Sequence, residues 1–269
     1  MAITTLNGVI AGQRPVVAYC KASFTGTAIG NYYSSLYLAG LPGAGAAPSM
    51  GINGSALTTR DGQIPFPTTV GGQSIYCAGV NMMMNGIGSG YLCDLLWENS
   101  GIAVTTTTAQ AITFPTLPAR DLNGLTNGTG LIPVLEVVTT IGTAAPVTTC
   151  TISYTNEAGT AGRTGTLSSI NTAASAGWTG FFDLAAGDKG VRSIQSITLG
   201  TSLVSGSVSL KLIRIVSAIP VAADNRLGTM DVVQLGMPIW YNTSVPYFIY
   251  ALTSTSPGRQ NGTIMWTQG

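Results

Sequence analysis

Ser207-Val-Ser-Leu-Lys-Leu-Ile-Arg-Ile-Val216 alternates small or charged residues with branched apolar ones, the period of two that belongs to a β-strand rather than to a helix. Such a strand puts Val208, Leu210 and Leu212 on one face, and the apolar neighbours Leu212-Ile213 predict an irregularity at that point. The same signal repeats outward from this run. Stretches 134–140, 148–155, 193–199 and 247–253 are rich in β-branched or aromatic residues and are separated by Gly, Pro, Asn and Asp clusters at the spacing of a sandwich or barrel. Residues 151–167 read as two strands joined by a turn at 156–162. Runs 32–38 and 91–97 fit a short helix or a strand equally, because periodicity does not arbitrate segments of that length. The expected fold is all-β, mainly an antiparallel sandwich or barrel of jelly-roll type, with an extended N-terminal arm and few short helices.

Two breaks interrupt the strand pattern. Gly40-Leu-Pro-Gly-Ala-Gly-Ala-Ala-Pro-Ser49 is too rich in Gly and Pro for a core element and reads as an extended connection; residues 116–130 form a second loop. The expected organisation is 1–85, an N-terminal arm and strand-rich segment; 86–220, the main β domain; and 221–269, a C-terminal β or tail segment packed across something else, since the strand pattern weakens from Pro220 onward.

Composition limits function. Of 269 residues, 8% are charged, 11 basic against 10 acidic, and none is histidine, while 45% are apolar. The apolar content supports a folded core and argues against disorder. Without clustered Lys and Arg there is no electrostatic handle for nucleic acid or an anionic membrane. Without histidine, Ser-His-Asp and Cys-His catalysis and histidine-ligated zinc are excluded. A surface of Thr, Ser, Asn and Gly solubilises a monomer weakly, so subunit contacts are expected to cover much of it. Residues 1–12 show no basic region followed by an apolar run, so no secretory signal is expected, and no window reaches the roughly 18 apolar residues of a membrane helix.

Few motifs carry chemistry. Gly86-Ile-Gly-Ser-Gly90 follows Met82-Met-Met-Asn85 instead of a β-branched strand and lacks the Lys-Ser/Thr of a phosphate loop, so the methionines read as core or subunit contact. Cys20, Cys77, Cys93 and Cys150 contain no C-x-x-C pair and read as buried thiols. Asp94 and Glu98, four residues apart, would share a helix face; spacing alone is weak evidence for glycosidase chemistry, and an exposed pair beside Trp97 is the expectation. Arg60-Asp61 and Arg120-Asp121 each open a turn and read as solvated, or as ion pairs at an interface. No catalytic, cofactor-binding or metal-ligating residue is expected, and no cofactor.

Tyr91-Leu-Cys-Asp-Leu-Leu-Trp-Glu-Asn-Ser-Gly-Ile-Ala-Val-Thr-Thr-Thr-Thr-Ala-Gln110 and Pro118-Ala-Arg-Asp-Leu-Asn-Gly124 resemble virion structural proteins of tailed bacteriophages. Ser153-Tyr-Thr-Asn-Glu-Ala-Gly-Thr-Ala-Gly-Arg-Thr164, Asp188-Lys-Gly-Val-Arg-Ser-Ile-Gln-Ser-Ile-Thr-Leu199 and the ending from Gln234-Leu-Gly-Met-Pro238 continue the resemblance over most of the chain. Among such proteins it looks most like a head decoration or cement protein. The resemblance implies a structural, non-enzymatic role: a homotrimer bound to the major capsid protein on the capsid exterior, assembled in the host cytoplasm, without nucleic-acid or membrane contact. Residues 1–60 hold Arg14, Lys21 and Arg60 before the first acidic residue, Asp61. These four are the candidate capsid or subunit contacts, and deletion of 1–50 is expected to leave a folded body. Cys20, near the expected arm, is the candidate for an intersubunit disulfide formed after lysis. Two rival classes are a fibre or receptor-binding module that recognises sugars through exposed Trp178, Trp240 and Trp266, and a hydrolase attached to a virion.

Overall fold

The 207–216 alternation is part of one antiparallel strand, Ser207–Val221, 15 residues long. The computed structural model describes residues 3–86, 88–253 and 258–269. In chain order the elements are helix α1 (Leu6–Ala11), strands β1 (Val17–Lys21), β2 (Tyr32–Ser34), β3 (Gly40–Leu41), β4 (Ser55–Ala56), β5 (Ile75–Met84), β6 (Gly88–Glu98), β7 (Gln110–Ala111), β8 (Leu131–Thr139), β9 (Cys150–Asn156), β10 (Arg163–Leu167), β11 (Trp178–Phe181), β12 (Val191–Thr198), β13 (Ser207–Val221) and β14 (Leu227–Met230), helix α2 (Val232–Leu235), and strands β15 (Ile239–Trp240), β16 (Pro246–Leu252) and β17 (Gln260–Gln268). The all-β expectation therefore holds, with two short helices among the described residues.

The central feature is a closed ring. Strands pair in the order β13-β8-β11-β2-β16-β6, and β6 returns to β13 along ten residue pairs, which leaves no open edge on the ring. Alternate side chains point to opposite faces of such a wall. Cys93, Leu95, Val134, Ile213, Tyr247 and Ile249 form one apolar cluster, joined by the half-buried Tyr32 and Phe181, so every stave contributes and this cluster is the barrel interior. The alternate residues, including Tyr33, Leu92, Leu135, Trp178, Leu210, Leu212 and Phe248, belong to a second, larger cluster on the outside of the wall. Burial on both faces explains why Leu131-Ile-Pro-Val-Leu-Glu-Val-Val138 is nearly continuous in apolar residues. Truncating Leu212 to Ala removes contacts on a fully buried face and costs about 2–5 kcal/mol.

Two further sheets cover the outer cluster. One has the order β14-β5-β17-β1-β3, with β15 also on β5; the other is β10-β9-β12-β7. β9 and β10 make the expected hairpin, with Asn156 N–H donating to Thr160 O and Asn156 Oδ1 accepting from Thr160 N–H to close the turn. The irregularity expected at Leu212-Ile213 is present: Leu212 pairs Trp97 and Ile213 pairs Leu95, so Leu96 is an extra residue, a bulge in β6. Run 91–97 is strand, and run 32–38 is the short β2 followed by a turn. Met82 and Met84 are fully buried in β5; of the Gly86–Gly90 run, position 87 lies outside the described residues.

Two expectations about the ends of the chain are corrected. The segment after residue 220 is no tail: β16 is a barrel stave, and β17 pairs β1 on one side and β5 on the other. Nor does the Gly/Pro segment reach away from the body. With its flanks, residues 36–64, it straps one end of the barrel, where Leu36 and Leu57 join the interior cluster, Leu57 N–H donates to Leu96 O and Ile64 N–H to Pro246 O. Gly45 is needed by close approach, since a Cβ there would lie 2.3 Å from the Asp61 carbonyl oxygen. Deleting 1–50 removes stave β2, strand β1 and the Leu36 plug, so the remainder loses ring closure instead of folding as a body.

Candidate functional site

Nearly half the charges lie inside the molecule. The barrel end closed by the strap holds an ionic layer: Lys211 from β13, Glu136 from β8, Glu98 from β6 and Arg60 from the strap, all buried. Arg60 Nε donates to Glu98 Oε2 at 2.6 Å, Lys211 Nζ lies 3.3 Å from Glu98 Oε1 and also donates to Glu136 Oε1, and Ser209 Oγ donates to Glu98 Oε1 at 3.3 Å. The Lys211 ammonium also sits over the rings of Tyr37 and Tyr247, at 5.4 and 5.7 Å. Burial opposes ionisation of Glu98, but Lys211 and Arg60 outweigh it and hold the carboxyl below its ordinary value. For Glu136 burial wins, and the carboxyl is pushed up despite Lys211.

A second cluster surrounds Asp94. Its carboxylate accepts from Ser244 Oγ at 3.0 Å and from Val245 N–H at 2.8 Å, with Arg120 Nε and Arg214 Nη2 each 3.7 Å away. Arg120 Nη2 donates to Leu57 O and Leu95 O, and Arg214 Nη2 donates to Ile239 O while its guanidinium lies over Trp240 and Tyr241. Asp94 and Glu98 are thus neither helical nor exposed. The Leu96 bulge separates them into two ion clusters, against the expectation of a shared face. Both carboxylates are fully buried beneath side chains. That enclosure gives a substrate no route to them and makes them cross-links between staves, not an acid and base pair.

The two Arg-Asp turns also differ from expectation. Arg60 and Arg120 reach inward to Glu98 and Asp94, and Asp121 is buried, accepting from Asn123, Leu125 and Thr129 N–H to shape the loop before β8. Of the candidate contacts, Lys21 and Arg60 are 2% and 7% exposed. Lys21 Nζ donates to the carbonyls of Leu38, Pro42 and Gly43, pinning the start of the strap, and burial lowers its pKa to about 8. Arg14, half-buried, donates to Thr68 O, and Asp61 is exposed on the strap, so these two are the surface members of the set. Cys77, Cys93 and Cys150 are buried thiols and Cys20 is a half-buried one in β1; none is bonded to another. The proposed sugar-facing tryptophans Trp178, Trp240 and Trp266 are 3%, 1% and 0% exposed, because each packs in the outer cluster.

The surface is instead apolar in places. α1 has no buried residue, and Leu6 and Ile10 on it, with Val233 of α2, are exposed at 66%, 62% and 83%. Val9 and Val232 line both of two adjoining depressions of about 220 and 400 Å³ between these helices. Sequence reasoning missed Lys211, Glu136 and Arg214 as ionic partners. The available signal was a charge in the middle of a strand that is otherwise apolar on both faces, as at Leu210-Lys-Leu212 and Leu135-Glu-Val137.

No family model matches the chain, and no curated protein matches it. Solved structures similar to it include the VP2 subviral particle of infectious bursal disease virus, at 12% identity over 95% of this chain and 81% of that one, with a TM-score of 0.18. A second is the Gt strain of the same virus, at 10% identity over 95% and 81%, with a TM-score of 0.17. Values this low assign neither fold nor function.

Proposed function

We propose that the chain is a virion structural protein that decorates and stabilises the outer surface of a tailed-phage capsid, as a homotrimer held on the major capsid protein. The observation that carries this reading is the chemistry of the surface. Of the 21 charged residues nine are buried, leaving twelve exposed or half-buried beside twelve exposed large apolar side chains among the described residues. Such a surface solubilises a free monomer poorly and favours covering contacts. The sequence resemblance to phage decoration proteins supports the capsid exterior as the site of those contacts. A protein that binds only the assembled shell stabilises it by mass action, without catalysis. Arg14 and Asp61 are the charged contact candidates that this reading retains.

Quantitative mass spectrometry of purified particles tests the reading. Hundreds of copies per particle are expected; tens or fewer indicate a fibre or tail part, and absence overturns every virion role. Particles lacking the protein should assemble yet release DNA at a lower temperature than wild type, and equal release temperatures reject the cement role. Native mass spectrometry of the purified protein should give a trimer.

A further inference from the structure

We propose that the outer face of the sheet β14-β5-β17-β1, with the helices α1 and α2 that border it, is the surface on which a second copy of this chain packs. The inference deepens the homotrimer reading and rests on it for the number of copies; the contact itself needs only a second copy. Cross-strand partners lie on the same face of a sheet. Val80, Met82 and Ile264 belong to the cluster beneath the sheet. Their neighbours Asn81, Met83 and Thr263 therefore point away from it, as do Leu227 opposite Met83 and Cys20 opposite Asn261. These outward residues are half-buried or exposed, whereas the three inward ones are fully buried. The methionines divide accordingly: Met82 and Met84 are core, while Met83 and Met265 are half-buried on the outer face, where the Met265 side chain lies over Gly79. Flexible thioethers suit a contact surface that must adapt to its partner.

Among the described residues, no charged side chain of the four strands stands on this face, since their one charge, Lys21, is buried beneath it. Asp231, the one charge lining the two depressions beside the helices, is engaged in capping α2, where it accepts from Val233 and Gln234 N–H at 2.9 Å. Met265 and Thr229 line the smaller depression together with Val9 and Val232, so helices, hollows and sheet form one continuous surface. Its size fits an interface. The four strands hold 4, 10, 9 and 5 residues; at about 4.8 Å by 3.3 Å each they give roughly 450 Å² of flat sheet, and the helices add about 150 Å². Side-chain relief raises the accessible area above that footprint, toward the ~800 Å² that each partner contributes to a stable interface. The relief selects a second copy. Leu6, Ile10 and Val233 project beside apolar hollows of about 220 and 400 Å³, so one surface carries both the projections and the recesses that receive them. In a ring the projections of each copy enter the recesses of the next, and a three-fold rotation closes it. An anionic membrane finds no Lys or Arg on this face, and a charged partner would strand its own charges against it.

Native mass spectrometry and sedimentation of the full-length protein over a concentration series test the proposal. Val233→Glu and Ile10→Glu each place a carboxylate on an exposed helix position that the contact would bury, and each should weaken self-association roughly a hundredfold or more. Val204→Glu, an equally exposed apolar site beyond the far end of β13, should leave it unchanged. Circular dichroism reports whether the variants fold. Hydrogen exchange of the wild-type protein needs no variant: residues 5–12 and 231–237 should exchange more slowly as concentration rises, and equal exchange at all concentrations overturns the contact. An oligomer that survives both helix substitutions, or one that Val204→Glu dissociates as well, overturns this face and leaves the trimer reading standing. A wild-type monomer that loses binding to bare heads on Val233→Glu means that the capsid protein covers the face, which overturns the second copy as its occupant. Self-association lost on Val233→Glu in a protein absent from particles supports the contact and removes only the capsid role.

Discussion

Replacing Lys211 by Met removes the one cation beside Glu136 and one of the two beside Glu98, inside a barrel where all three side chains are fully buried. Glu98 keeps Arg60 at 2.6 Å, so the loss falls mainly on Glu136. Breaking a buried pair from one side costs about 3–5 kcal/mol, because a carboxylate is left without compensation. At about 2–4 °C per kcal/mol for a chain of this size, that is a fall in melting temperature of roughly 6–20 °C. Chemical denaturation followed by circular dichroism measures it, with the slope unchanged if only the folded state is affected. The double variant Lys211→Met, Glu136→Gln should recover part of the loss, since it removes the stranded charge as well; a coupling of about 0.5–3 kcal/mol is expected. The deficit also depends on pH in a stated direction. An acid whose folded pKa is raised stabilises fully below its unfolded value, near 4.3, and loses that contribution as pH rises through the folded pKa. In the variant Glu136 is raised further, so the deficit is smaller near pH 4 than at pH 8. A cost under about 1 kcal/mol, as for a surface pair, or a double variant no more stable than the single one, refutes the ionic layer as a cross-link.

Asp188 accepts from Arg163 Nε at 2.9 Å, Tyr154 Oη at 2.5 Å and Asn156 Nδ2 at 2.8 Å, and these partners hold its carboxyl down to about 2. Its contribution is therefore present above an unfolded value of about 3.9 and lost as pH falls toward 2; tyrosine fluorescence should show this step in wild type and not in Asp188→Asn. Burial pushes the Cys77 and Cys150 thiols up to about 12 and raises Cys93 as well, so a thiol reagent at pH 8 should label at most Cys20 in the native protein and all four after denaturation. Labelling of a second native thiol on the same timescale contradicts that burial. Binding to bare heads should change less than tenfold across a roughly tenfold increase in salt; a steeper fall means that charge steering, not apolar contact, holds the subunit.

Strand period was legible because it is local. Val208, Leu210 and Leu212 face the outer cluster as their alternation requires, and the Leu212-Ile213 doublet marks the bulge opposite. Ring closure was not legible, since it depends on β6 meeting β13 across more than a hundred residues, and nothing near Tyr91 records that pairing. The same limit applies to the charges. Asp94 and Glu98 were visible as a pair at spacing four, but their partners Arg120, Arg214, Lys211 and Arg60 come from other strands and the strap. The candidate contacts Lys21 and Arg60 failed for a related reason. A scarce charge in a sparsely charged chain reads as a surface feature, whereas here scarcity and burial occur together.

That coincidence bears on assembly. The buried set contains Lys21, Arg60, Arg120, Lys211 and Arg214 against Asp94, Glu98, Asp121 and Glu136. What remains outside is six basic residues, Arg14, Arg163, Lys189, Arg192, Arg226 and Arg259, and six acidic ones, Asp61, Glu157, Asp183, Asp188, Asp224 and Asp231. The chain's single excess charge is thus enclosed, and the exterior side chains sum to zero. Copies packed side by side accumulate no long-range repulsion from side-chain charge, which otherwise grows with every subunit added. Enclosure also places the strongest electrostatic interactions where solvent ions do not screen them, so the barrel's ionic cross-links persist in salt. Both properties arise from one arrangement: nine charges are buried, seven of them in the two ion clusters that tie barrel staves, strap and loops together, one pinning the start of the strap and one shaping the loop before β8, which leaves the outside free for apolar contact.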